Sequence, residues 1–200
     1  DPTDGTSRHV PVGEPISVIV ADPLSPHVIA ASELTTYLVP IDGAAVEVLP
    51  GLSGARQLSF SRDGTRLFVV TSQSRAQAGS LYEIDAATLR EVEGPTSGFE
   101  TLRDAYVPLR YPSGILELED SRVVVAGELG RAVVLDPTWR SSTVVDLGTG
   151  TVVARDDGSL VGATDRSLAL IDVDGRGVLG RTIGDGLSAA ASISADGALV

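Results

Sequence analysis

The sequence contains no cysteine, which excludes a disulfide framework and any thiolate chemistry. Lysine, methionine and asparagine are absent too, so all 15 basic residues are arginine. Only two histidines occur, His9 and His27, in neither HxxxH nor HExxH spacing. They read as ordinary strand or surface residues, and no metal or other cofactor is expected. No apolar run approaches the roughly 18 residues a membrane helix needs. Aromatic residues make up 4% of the chain, so a hydrophobic content of 42% has to be carried by Val, Leu, Ile and Ala. Positive charge is short as well: 27 acidic residues against 15 basic ones leave a net charge of −12. Such a surface repels phosphate backbones and anionic headgroups, so neither nucleic acid nor a membrane is an expected partner.

What is present is a repeat. Residues 55–96 read as ARQLSFS, a turn RDGT, RLFVVTSQS, a loop, SLYEID, a turn AAT and LREVEGP. Four β-prone runs joined by Gly, Asp and Ser turns within about forty residues are the signature of one four-stranded antiparallel blade. An Asp closing an apolar run recurs at Asp1, Asp42, Asp85, Asp136 and Asp172, with spacings of 41, 43, 51 and 36 residues. The residue before it is Ile41, Ile84, Leu135 or Ile171 wherever there is one. The aliphatic side chain is expected to pack between blades, while the Asp carboxylate caps the next turn by accepting from N–H groups one or two residues on.

The expected fold is therefore all-β: a β-propeller with four complete blades at about 16–50, 55–96, 115–148 and 151–184. Partial blades at 1–13 and 187–200 flank them as one array, an incomplete ring whose open edges invite self-association. Within the second blade, Asp63-Gly64 is the strongest hairpin signal in the chain. The third blade is preceded by a surplus at 97–114, of which 100–106 suits one or two helical turns. The chain opens on Asp1-Pro2-Thr3 without Met or a signal segment, which points either to a start removed by processing or to a piece of something longer.

SFSRDG at 59–64, SISADG at 192–197, EIDAAT at 83–88 and VLDPT at 134–138 resemble the blade motifs of bacterial WD-repeat-like and YVTN-type β-propellers. The resemblance spans nearly the whole chain and implies a blade rather than an activity. No Trp precedes a repeat Asp and no Gly-His pair opens a blade, so the hydrogen-bond network of true WD repeats is missing. Arginine-only usage resembles that of a GC-rich genome such as an actinobacterial one. Actinobacterial propellers of this texture resemble the sensory portion of larger regulatory proteins, which implies a non-catalytic protein- or peptide-binding role.

Catalytic and ligand motifs do not assemble. Asp172-Val173-Asp174-Gly175 opens like a calcium loop, but Ile183 stands where the bidentate Glu is needed. Gly148-Thr149-Gly150 lacks the Lys of a phosphate loop, and no G-x-S-x-G elbow occurs. Trp139 reads as an outer-strand packing residue. A lactonase- or hydrolase-like propeller is the rival reading, and a secreted surface propeller a third. The one stretch of unusual character is 97–114. Its Arg103, Tyr106, Arg110 and Tyr111, with Arg75 and Gln77 of the preceding loop, are expected to form a basic, aromatic patch for an acidic peptide.

Overall fold

The computed structural model describes residues 9–72, 79–90, 99–109, 112–127, 131–146, 151–154, 160–163, 167–171 and 178–182. The first sheet contains β1 (Val18–Ala21), β2 (His27–Ala31), β3 (Thr36–Pro40) and β4 (Glu47–Val48). The second contains β5 (Ala55–Phe60), β6 (Arg66–Thr71), β7 (Gly79–Asp85) and β8 (Thr101–Val107), with a short helix α1 (Ala86–Arg90) between the last two. The third is β9 (Pro112–Glu117), β10 (Val123–Gly127), β11 (Arg131–Leu135) and β12 (Ser142–Asp146). The fourth is β13 (Thr151–Ala154), β14 (Leu160–Ala163), β15 (Ser167–Ile171) and β16 (Val178–Thr182). Each sheet is a four-stranded antiparallel meander in chain order. The first strands β1, β5, β9 and β13 meet one another in sequence, as the inner strands of adjacent blades do. The fold is a β-propeller array. The part-blade expected at 187–200 lies outside the described residues, as do residues 1–8, and residues 9–13 carry no strand.

Strand alternation sorts each blade's side chains into two seams. From β6, Leu67 and Val69 join Ile29, Leu38, Leu49 and Leu52 of the first blade. Phe68 and Val70 point the other way and pack with Val123, Val125, Val133 and Leu135 of the third. Burial on both faces is why this strand reads as a continuous apolar run, and each such side chain contributes about 1.5–3 kcal/mol.

Antiparallel order also sorts the connections. Those entering a blade and those between its second and third strands share one rim, here the entry rim. Those between first and second and between third and fourth strands share the other, the turn rim. On the turn rim the repeat Asp caps its turn as expected: Asp42 accepts from the Ala44 N–H (3.1 Å), Asp85 from Ala87 (2.8 Å) and Asp136 from Thr138 (2.7 Å).

Four local expectations are overturned. The outer strand of the second blade is Thr101–Val107 rather than LREVEGP, whose Leu89 and Arg90 end the helix at 86–90 and whose remaining residues lie outside the described ones. Asp85 caps the helix, Leu89 drops into the first seam, and TLRDAYV offers the alternation an outer strand requires, so 100–106 is not helical. Ile41 does not pack between blades but is 62% exposed, whereas Ile84 and Leu135 are buried. Trp139 sits not on an outer strand but in the turn between β11 and β12, at a left-handed φ of 60°.

Candidate functional site

The two rims differ in what their charges do. On the turn rim a row of ion pairs crosses the second blade from inside to outside. Glu117 of β9 accepts from Arg66 of β6 (2.5 Å), which also donates to Glu83 of β7 (3.2 Å), and Glu83 accepts from Arg103 of β8. Arg103 donates onward to the Pro137 carbonyl (2.6 Å), and its guanidinium lies 4.8 Å from the centroid of the Trp139 ring. Both ends of the row belong to the third blade, so it stitches the second seam. Glu83 is 2% exposed, and two guanidiniums compensate its burial.

The first seam is stitched by Asp22, in the turn after β1. Arg90 at the end of α1 donates to it through Nε and Nη2, each at 2.7 Å, and Nη2 also reaches the Gly64 carbonyl (2.9 Å). Burial alone would raise the Asp22 carboxyl, but Arg90, the Ser25 hydroxyl and the Leu24 N–H together hold it below its ordinary value. Exposed turn carboxylates are lowered too. Asp63 falls to about 2 through the Ser61 hydroxyl and the N–H and hydroxyl of Thr65. Asp136 lies well below the carboxylate range because the hydroxyls of Ser141 and Thr138 donate to it. Asp22 is thus held as an anion by Arg90, and Glu83 and Glu117 are likewise engaged by arginines across a seam, the arrangement of a buttress.

The entry rim has open space. A cleft of about 360 Å³ lies between the first and second blades, bounded by Glu33 and Leu34 from the β2–β3 turn, Ser53 and Gly54 ahead of β5, Ser72 after β6 and Tyr82 of β7. Gly54 is needed there: at φ +73° an added Cβ would stand 2.9 Å from the Ser72 carbonyl. Leu34 is 72% exposed. Glu33 accepts from Arg56 at 3.1 Å across the seam. In the register, Tyr82 faces Asp104 and Ser80 faces Tyr106, so Asp104 and Tyr106 share Tyr82's side of the blade. Tyr106 is 68% exposed.

The expected patch is therefore not brought together as drawn. Arg103 and Tyr106, three residues apart on a strand, project from opposite faces, and the Arg103 guanidinium is committed to Glu83, Pro137 and Trp139. Arg75, Gln77, Arg110 and Tyr111 lie outside the described residues, in the segments joining β6 to β7 and β8 to β9. Glu33, Leu34, Tyr82 and Asp104 were missed; the alternation in TLRDAYV was the one sequence signal that pointed to Asp104 and Tyr106 together. Among the described residues no three His, Cys, Asp or Glu are grouped as metal ligands, and no helix is long and apolar enough to cross a membrane. His27 shares a 2.8 Å hydrogen bond with the Ser25 hydroxyl.

No protein-family model matches the sequence, and no curated protein sequence matches it. Solved structures do. The Cps50 (Swd1) β-propeller domain of Myceliophteria thermophila aligns over 92% of this chain and 60% of its own, with TM-score 0.67 and 15% identity. Hydrazine synthase of Kuenenia stuttgartiensis aligns over 97% and 56%, with TM-score 0.68 and 21% identity. The WD40 β-propeller domain of Doa1 aligns over 75% and 48%, with TM-score 0.56 and 17% identity. The chain spans about half to three fifths of these proteins, and at such identities the likeness is one of fold: a WD-repeat-like β-propeller.

Proposed function

We propose that this propeller is a non-catalytic protein-binding scaffold whose partner docks on the entry rim at the seam of the first two blades. The observation that carries the proposal is the seam cleft, lined by exposed Leu34 and by Tyr82, with exposed Tyr106 on Tyr82's side of the blade. Large side chains left in water beside a concave surface on a rigid scaffold are the usual makings of a docking anchor. The fate of the turn-rim carboxylates supports the non-catalytic part. Asp22, Glu83 and Glu117 are bound to arginines and hold blades together, so their carboxylate oxygens are committed to structural contacts.

Site-specific photocrosslinking in the source cell tests the assignment. A benzoylphenylalanine at position 34 or 106 should yield a discrete protein adduct, whereas the same probe at Ile41, equally exposed but on the turn rim, should not. Adducts confined to position 41, or absent from 34 and 106, would overturn it.

A further inference from the structure

We infer that the seam cleft selects a cationic side chain, an arginine or lysine of the docked segment; this rests on the proposed protein-binding role and names its specificity. Three features converge. The cleft has an aromatic wall in Tyr82, and Tyr106 stands one register step away on the same side of the blade. Two phenol rings on one side of a strand pair offer π faces to a cation. Carboxylates flank them: Asp104, opposite Tyr82, is exposed and has no hydrogen-bond or ion-pair partner among the described residues, and Glu33 lines the cleft.

Glu33 already supports one guanidinium, since Arg56 reaches it at 3.1 Å with a side chain largely withdrawn from solvent. The third feature is the wider field: a net charge of −12 draws cations toward the surface and repels anions. The cation that would have reversed the local sign, Arg103, projects from the other face of β8 and is bound to Glu83. An acidic peptide would meet like charge at Asp104, while a cationic side chain would exchange hydration for aromatic faces and a carboxylate. The small residues Gly54, Ser53 and Ser72 in the lining leave room beside Tyr82 for an entering side chain.

The test uses capped tripeptides, acetyl-Gly-Arg-Gly-amide and its Lys, Glu and Leu counterparts, titrated into the isotope-labelled chain. The Arg and Lys peptides should shift the amides of Ser53, Gly54 and Ser72 saturably. Their affinity should exceed that of the Glu peptide by about tenfold or more and fall as salt is added. Asp104→Arg, a change at an exposed position, should abolish that preference while leaving the rest of the spectrum in place. Equal affinities for all four peptides, shifts confined to other regions, or no saturable shift with the Arg and Lys peptides would overturn the inference. The photocrosslinking experiment separates the two claims: adducts at positions 34 and 106 that persist in Asp104→Arg leave the docking face standing and remove only its cation preference.

Discussion

Glu83 is the residue on which the second seam turns. Its carboxylate is buried between Arg66 and Arg103, and those two carry the contact outward to Glu117, Pro137 and Trp139. Removing it leaves two guanidiniums facing each other with no anion between them. Because both arginines keep part of their hydration, Glu83→Ala should destabilise the chain by about 2–4 kcal/mol rather than by the larger figures typical of fully buried pairs. Urea unfolding monitored through the single Trp139 measures this, and a loss below about 1 kcal/mol would show that the row of ion pairs is ornamental. Arg103→Lys should fail to restore full stability, since one ammonium cannot span Glu83 and the Pro137 carbonyl while stacking on the indole.

At the scale of elements, the turn rim is organised by aspartates. In the β5–β6 hairpin Asp63 gathers the hydroxyl of Ser61 and the N–H and hydroxyl of Thr65, and Gly64 at φ +72° completes the turn beneath Pro23 and Leu24. Asp136 does the same for the β11–β12 turn. Their folded pKa values, like that of Asp22, lie below the unfolded value of about 3.9. The stabilisation is therefore present above that value and is lost as pH falls through the folded pKa. The urea midpoint should stay level from about pH 7 to 5 and decline from about pH 4 toward pH 2. Asp22→Asn should flatten that decline most, because its partners are partly withdrawn from solvent; Asp63→Asn should flatten it slightly, as screening at an exposed turn predicts. A midpoint that rises on acidification would contradict the account. Gly64→Ala should cost about 1–2 kcal/mol through its left-handed φ, with added strain from the Pro23 Cγ that stands 2.7 Å from the new methyl.

For the whole molecule, stability is expected to be a sum over blades and seams rather than a single core, since each blade packs on its neighbours. The strands buried on both faces, β6, β10 and β11, should hold the slowest-exchanging amides, and β1, with Ile19 in water, the fast ones. Glu117→Ala, which severs the inner link between second and third blades, should speed exchange in β9 and β10 and leave β2 and β3 unchanged. Uniform acceleration across all strands would mean that the array unfolds as one unit.

Blade identity was legible in the chain because it depends on local chemistry: short apolar β-prone runs such as RLFVV, the Asp63-Gly64 hairpin, and turn aspartates whose carboxylates reach N–H groups two residues away. Such signals need no distant partner. The outer strand of the second blade was not legible, since LREVEGP and TLRDAYV are comparable β candidates in isolation. The choice fell to whichever could pair with β7 and bury Val107 while Leu89 filled the first seam. The site followed from that choice. Reading 97–114 as a loop places Arg103 and Tyr106 together, whereas a strand sends them to opposite faces, one to a buried carboxylate 20 residues away in sequence and one to solvent beside the seam cleft. Composition and turn spacing determined the architecture because they act within a few residues. The partners of Glu83, Arg90 and Arg103, and with them the sign of charge beside the cleft, were decided by tertiary structure, because they depend on which blade faces which.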